Sequence, residues 1–387
     1  MNFTLSTRLQ QLPPYLFIEL DRKKKALADR GVDIISFGVG DPDLPTPDHI
    51  VRAMQEAVAM PAYHQYPFGR GLATFRQAVA AWFVRRFGVS LNPDTEVHAL
   101  IGSKEGIGHF PLAFVNPGDV VLATEPGYPV YRSSTVLCGG EYHPLPLRRD
   151  NGFLPDFDEI PLDILQRARL LFFNYPNNPT AAVAPVEFFK RVVEFAHRHR
   201  IIAAHDCAYS ELYYDPAHRP TSFLAVDGAR EVGIEFHSLS KTFNMTGWRV
   251  GWACGNPQLI SALGAIKDNY DSGVFSAVQH AAVAALTGPQ ECIAANNAVY
   301  RERRDTFVAG LRRLGLDALS PEATFYVWTA VPRGSTSIAF AERLLPTGVV
   351  CTPGIGMGAA GEGYVRFALT VPVKRIIEAL DRIRTVL

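Results

Sequence analysis

The sequence predicts an α/β fold, with a large unit around a mostly parallel sheet and a smaller α+β unit beside it. Three observations carry this. From about residue 97, short apolar runs alternate with amphipathic segments, as in βαβ units whose strands are buried on both faces. The 28 prolines and 31 glycines punctuate the whole length, as many short elements require. After about residue 275 the texture changes to long helical stretches followed by scattered short strands.

Element by element, residues 15–30 predict a helix and Ile34–Phe37 a short strand, before GVGDPDLPTP breaks the chain. Pro47–Met60 predicts a helix opening on proline, with Thr46 as N-cap. Thr74–Phe87 has strong helical periodicity. VHALIG then leads into a helix from 104, VVLATEP into YPVYRSSTVLCG, and LLFFNYP into VEFFKRVVEFAHRHR. IIAAHD, GIEFHSLS and WRVGWACG are the next buried runs. Beyond them come helical stretches over 276–287 and 289–314, then YVWTAV, a helix at 337–345, VVCTPG, YVRFAL and a last helix at 372–386. Residues 46–275 are expected to form the large domain, and residues 1–45 with 276–387 the small one.

A chain of 387 residues, 48% hydrophobic and 20% charged, can bury a large core, which excludes global disorder. Lys+Arg and Asp+Glu are both 38, so no basic excess favours nucleic acid or an anionic membrane. The five cysteines are widely spaced without C-x-x-C, which points away from a disulfide framework or a metal site and towards a reducing compartment. The N-terminus lacks an apolar signal core, and no run approaches the ~18 apolar residues of a membrane span. The cytoplasm is the expected location.

Some local matches are discounted on context. Gly356-Met-Gly358-Ala-Ala-Gly361 fits G-x-G-x-x-G, but a strand follows it where a dinucleotide site needs a helix, so a surface loop is expected. Ser238-Leu-Ser240-Lys241 fits S-x-x-K, yet the K-T-G and S-D-N partners of an acyl-serine enzyme are missing. His197, His199 and His205 suggest a metal at first sight, but His197 and His199 are two apart on a helix and do not share a face, so a solvated basic helix end is expected and no metal.

Four features remain, in order along one βα series: Asn174-Tyr-Pro-Asn-Asn-Pro-Thr180, His205-Asp206-Cys-Ala-Tyr209, Ser238-Leu-Ser240-Lys241, and Arg249. In a parallel sheet the carboxyl ends of the strands share the edge where ligands bind, so Asn178, Asp206, Tyr209, Ser238, Lys241 and Arg249 are expected to converge. Pyridoxal phosphate needs such a set. A lysine bonds its aldehyde, and a carboxylate holds its ring nitrogen protonated. Asparagine and tyrosine suit its phenolic oxygen, while arginine, serines and helix-start N–H groups suit its phosphate. Gly102-Ser103-Lys104, between a strand and a helix, offers such N–H groups. Taken singly, each residue also fits a turn, a surface charge or an ion pair. It is the ordered combination that points to the cofactor.

With those motifs in place, the chain resembles the class I/II aminotransferases over nearly its whole length. The resemblance rests on GVGDPDLPTP, YPFGRGLATFRQA, GSKEGI, EPGYPVY, NYPNNPT, HDCAYSEL, SLSKTFNMTGWRVGW and YVRFAL. It implies the type I fold of pyridoxal-phosphate enzymes, with a mostly parallel seven-stranded sheet in the large domain. It further implies Lys241 as the Schiff-base lysine and proton shuttle, and Asp206 as partner of the pyridine nitrogen. Asn178 and Tyr209 would hold the phenolic oxygen. Ser103, Lys104, Ser238, Ser240 and Arg249 would form the phosphate cup, Tyr128 would stack on the ring, and Arg366 would clamp the substrate α-carboxylate. Tyr66 would reach the phosphate of a neighbouring subunit, which implies a homodimer with shared sites. One departure is Ala181, where the family often has glycine.

Within the family, LPPYLFIELDRKK, FGVGDPDLPTP and GSKEGIGHF resemble LL-diaminopimelate aminotransferases most closely. That resemblance implies substrate contacts from Tyr15, Gly40 and Lys104, beside Tyr128, Asn178 and Arg366. The implied reaction moves an amino group between LL-diaminopimelate and 2-oxoglutarate, as in lysine biosynthesis. Alanine- or aromatic–glutamate transfer is the nearest alternative, and a β-lyase shares the same cofactor set. A ligand-binding regulator would need an added DNA-binding unit, for which the sequence offers no basic patch.

Overall fold

The structure, a computed structural model, describes residues 1–14 and 16–387. Twelve strands occur among them. They are β1 (Ile35–Ser36), β2 (Val97–Leu100), β3 (Val120–Glu125), β4 (Glu141–Pro146), β5 (Ala168–Asn174), β6 (Ile202–Asp206), β7 (Gly233–Ser238), β8 (Gly251–Gly255), β9 (Tyr326–Ala330), β10 (Val349–Val350), β11 (Thr352–Pro353) and β12 (Tyr364–Ala368).

Seven of them form one sheet in the order β2-β8-β7-β6-β5-β3-β4, the seven strands that the resemblance implied. The pairs from β4 through β7 are parallel, and β8 runs antiparallel to both its neighbours. Side chains alternate between two apolar cores, as the pleat requires. Leu171, Phe173, Ala203 and Trp252 face one core, while Leu170, Phe172, Ala204 and Ala253 face the other. Burial on both faces is why these strands read as continuous apolar runs.

The edge strand β4 was not expected from the sequence. Pro144 and Pro146 stand in it, and proline is tolerated there because an edge strand pairs on one side only.

The smaller core gathers around the antiparallel sheet β11-β12-β9, and β1 pairs parallel with β10. The N-terminal segment is thereby tied to the C-terminal part. The helix Ser276–Thr287, expected with the small domain, packs on Asp48–Val58 and Ala73–Phe87, and its Val278, Ala281 and Ala285 enter the core under the large sheet.

Two local expectations are corrected. Thr46 does not cap the helix Asp48–Val58. Its hydroxyl donates to the Asn244 carbonyl at 2.8 Å, and Pro47 occupies the cap without a side-chain bond. The Gly356–Gly361 stretch is a packed connection between β11 and β12 rather than a surface loop. A Cβ on Gly358 would stand 2.1 Å from Glu125, and one on Gly361 would stand 2.2 Å from the Gly354 carbonyl.

Candidate active site

The parallel strands bring Asn174, Asp206 and Ser238 to one sheet edge as their carboxyl-terminal residues. β2 ends at the same edge, because Leu100 pairs with Gly251. β8 is reversed, so its start, and Arg249 just before it, also lie there. The result is a cavity of about 280 Å³ lined by Ser103, Lys104, Tyr128, Asn178, Asp206, Tyr209, Ser238, Ser240, Lys241, Arg249, Gly40 and Arg366. All of the expected cofactor and substrate residues therefore converge except two. Tyr66 is 76% exposed, stacks on Phe68 at 5.4 Å and does not line the cavity. Tyr15 lies outside the described residues.

Asp206 is buried at the end of β6, and its Oδ2 accepts a hydrogen bond from Tyr131 Oη at 2.8 Å. Its Oδ1 is buried with no hydrogen-bond partner. Burial pushes this carboxyl above its ordinary pKa, while the Tyr131 hydrogen bond, the nearby His205, the Ala208 backbone N–H and His237 pull it down. A buried carboxylate oxygen left over in this way fits a cationic N–H donor supplied by a ligand.

Lys241 stands in the short helix Leu239–Thr242 that directly follows β7, and its Nζ donates to the Gly40 carbonyl at 2.7 Å. Burial lowers its pKa to about 8; Asp41 opposes that shift, and Arg249 and Arg366 add to it. Arg366, in the middle of β12, is buried. Its Nη1 donates to Asn178 Oδ1 at 2.7 Å and its Nη2 to the Gly38 carbonyl at 2.6 Å, with its guanidinium 4.4 Å from the Tyr326 ring centroid. Tyr209 and Tyr326 share a hydroxyl–hydroxyl hydrogen bond of 2.9 Å, and burial raises the Tyr209 phenol well above its ordinary value. Lys104 Nζ lies 5.9 Å from the Tyr128 ring centroid.

The approach of Arg249 to the helix start explains one glycine. Gly102 has φ +75°, and a Cβ there would stand 2.3 Å from Arg249 Nη2. Its lack of a side chain lets the guanidinium approach the start of the helix Ser103–His109, where backbone N–H groups point outwards. Arg249 also has a positive φ, 55°, and its Nη1 donates to the Thr246 carbonyl at 2.8 Å. Ser238 Oγ accepts from the Ser240 N–H at 3.1 Å, which fixes the two serines relative to each other in the cavity wall. The cavity thus offers hydroxyl, guanidinium and ammonium donors, an unpartnered carboxylate oxygen and an amine of lowered pKa. The residues present fit pyridoxal phosphate.

Reasoning from the sequence missed Tyr131, Asn174 and Tyr326. Tyr131 stands three residues after Tyr128 in EPGYPVY, so its helical spacing was a usable signal. Asn174 opens NYPNNPT, and its Nδ2 donates to the Asp206 carbonyl at 2.7 Å. Tyr326 has no local signal; only the packing of β9 against β12 brings it under Arg366. The Ala181 departure also gains an account. The residue has φ +62°, a left-handed conformation that favours the family's glycine.

Comparison with known proteins agrees with this geometry. The chain is 55% identical over 385 residues to an LL-diaminopimelate aminotransferase of Desulforudis audaxviator, covering 99% of this chain and 98% of that one. It is 56% identical over 382 residues to an LL-diaminopimelate aminotransferase of Nitratidesulfovibrio vulgaris, covering 98% of each. The substrate-bound BacF structure from Bacillus subtilis superposes with a TM-score of 0.96 at 39% identity, covering 100% of this chain and 98% of that one. Residues 32–383 match the family described as aminotransferase class I and II. The chain is a pyridoxal-phosphate-dependent enzyme and belongs to the class I and II aminotransferases.

Proposed function

We propose that this enzyme transfers an amino group between LL-diaminopimelate and 2-oxoglutarate, a step of lysine biosynthesis, in the cytoplasm. The full-length likeness to LL-diaminopimelate aminotransferases carries the reading. The geometry supports it. A second cavity of about 730 Å³ shares Lys104 and Tyr128 with the first and is lined by both signs of charge, including Glu19, Lys23, Glu125, Arg132 and Glu342. LL-Diaminopimelate carries a second amino acid end, whose ammonium and carboxylate need opposite partners. Glutamate, with one distal carboxylate, is served by the cationic part alone.

Bound pyridoxal phosphate supplies the electron sink that makes the substrate α-proton acidic. Around it, Arg366 receives the α-carboxylate with a planar fork already held by Asn178 and the Gly38 carbonyl. With the cofactor bound, Lys241 Nζ would accept and hand back the substrate α-proton, a task suited to an amine with a pKa of about 8. Asp206 would face the ring nitrogen, and Tyr209 and Asn178 would hold the phenolic oxygen. Ser103, Lys104, Ser238, Ser240 and Arg249 would bind the phosphate. A second copy of the chain adds Tyr66 to that phosphate, in a homodimer. The exposure of Tyr66 and of its neighbour Phe68 supports that arrangement.

The test is the absorption spectrum of the purified enzyme before and after LL-diaminopimelate alone. Conversion of the visible cofactor band to the near-ultraviolet amine band supports the cofactor, the half-reaction and the donor together. A visible band unchanged by LL-diaminopimelate but converted by alanine or an aromatic amino acid moves the reading to those donors. Pyruvate and ammonia formed from a thioether amino acid without an oxo-acid acceptor would instead mark a β-lyase.

A further inference from the structure

Behind the cofactor edge, on the opposite face of the sheet, lies a fully buried polar cluster that the site as described does not use. His205 and Glu235 are register partners on β6 and β7, one residue before Asp206 and three before Ser238. His205 Nδ1 lies 2.8 Å from Glu235 Oε1, and its Nε2 lies 2.9 Å from the Tyr175 carbonyl oxygen. A carbonyl only accepts, so Nε2 carries a proton. Glu235 also receives the Phe223 N–H at 2.6 Å and the Ser222 hydroxyl at 2.6 Å, with His237 Nε2 at 3.1 Å. Against the cost of burial, the hydrogen bonds from His205 and His237 hold the Glu235 carboxyl below its ordinary pKa, and a carboxylate there calls for a donor at Nδ1 of His205 as well. The ring is clamped in addition by stacking on Phe173 at 4.8 Å between centroids.

The three segments joined in this way carry the chemistry. Tyr175 begins the loop that bears Asn178, His205 precedes Asp206, and Glu235 leads to Ser238 and Lys241. We propose that His205 and Glu235 are positioning residues: their buried ion pair ties the ends of β5, β6 and β7 together, so that Asn178, Asp206 and Lys241 are presented at one fixed spacing. This rests on the reading of those three residues as cofactor ligands. A neutral imidazole has one N–H and cannot donate to the Tyr175 carbonyl and the Glu235 carboxylate at once, and a glutamine amide carries both its N–H bonds on a single nitrogen rather than at the two ends of a ring. A strand shift of about 1 Å at such a site costs on the order of a hundredfold in rate.

The experiment compares wild type with His205→Gln and Glu235→Gln, reading three quantities: cofactor dissociation constant, visible absorption maximum and kcat against KM. The visible band of the wild-type enzyme is the control for the cofactor-site reading itself; its absence would sink that reading, whatever the variants do. Expected for His205→Gln are a cofactor dissociation constant raised about tenfold or more, a displaced visible band, and kcat lowered at least tenfold with KM changed less than about threefold. Glu235→Gln, which keeps the shape of the side chain, moves the same quantities in the same direction and carries the test alone if His205→Gln does not fold. A lower melting temperature with cofactor affinity, spectrum and kcat unchanged would overturn the proposal, since the pair would then only stabilise the fold. Neutron diffraction of the holoenzyme should place protons on both ring nitrogens of His205. A single proton would also overturn it, because the pair would not be ionic.

Discussion

Tyr131 Oη donates to Asp206 Oδ2 at 2.8 Å, while Asp206 Oδ1 is buried without a hydrogen-bond partner. One oxygen of the carboxylate is thus committed to the protein and the other is reserved. Burial raises the pKa of Asp206 and the Tyr131 hydrogen bond opposes that rise. Tyr131→Phe removes the opposing bond, so Asp206 holds its proton to higher pH. The acidic limb of the kcat–pH profile should move upwards. Asp206→Asn should lower kcat by about a hundredfold or more, with the cofactor still bound.

The same pair predicts a trade of stability against activity. A carboxyl whose folded pKa is raised destabilises the protein once the pH exceeds its unfolded value, and does so fully above the folded pKa. Cofactor-free Asp206→Asn should therefore melt higher than cofactor-free wild type at neutral pH. Below about pH 3 the difference should vanish, because both side chains are then neutral. Calorimetry of the two apo forms is the measurement.

Gly102 and Arg249 form the second relationship open to test. Gly102→Ala places a Cβ 2.3 Å from Arg249 Nη2, at a φ of +75° that L side chains rarely adopt. Arg249 must withdraw from the helix start, and the phosphate loses a charge-assisted hydrogen bond worth about 1.5–3 kcal/mol. Cofactor affinity should fall by roughly ten- to a hundredfold. Equilibrium dialysis against pyridoxal phosphate checks this, and unchanged affinity would place the phosphate elsewhere.

Lys241 gives a pH dependence. Its pKa is lowered to about 8, first by burial and then by Arg249 and Arg366. Only the neutral amine attacks the cofactor aldehyde. The rate at which apo-enzyme captures pyridoxal phosphate covalently should rise with pH through a midpoint near 8, well below that of an ordinary lysine. Stopped-flow absorbance measures it. Removing the cationic neighbour by Arg249→Met should shift the midpoint upwards, since Arg249 favours the neutral amine.

Arg366 is held on two sides before any substrate arrives, by Asn178 Oδ1 and by the Gly38 carbonyl. Arg366→Lys keeps the charge but loses the planar fork. KM should rise by about tenfold or more for every amino donor, because the α-carboxylate is common to all. The absorption band of the bound cofactor should not change. A rise confined to one donor would move Arg366 from the α-carboxylate to the distal end of the substrate.

The long buried strands, the helices between them and the order of Asn178, Asp206, Lys241 and Arg249 were all legible in the sequence. Each is written locally, in apolar runs of strand length and in residue types that only one chemistry needs together. The edge strand β4 was not legible, since its two prolines imitate a break and only the pairing with β3 shows that they are tolerated. The cap at Thr46 was misread because the helix begins one residue later, with Pro47 at the cap position, and the Thr46 hydroxyl lies outside it, donating to the Asn244 carbonyl. Tyr326 was invisible, since its place under Arg366 depends on how β9 pairs with β12.

What the sequence determined by itself, then, is the set of groups and the order in which the chain delivers them. What the tertiary structure decided is which atoms remain for a ligand. Asp206 Oδ1 is left over because Tyr131 claims the other oxygen. Lys241 is a weak base for a lysine because burial and two arginines surround it. His205 is held at both ring nitrogens because the Tyr175 carbonyl and the Glu235 carboxylate meet it from two different segments. Each of these is a sum over neighbours distant along the chain, and folding alone brings those neighbours within hydrogen-bond reach.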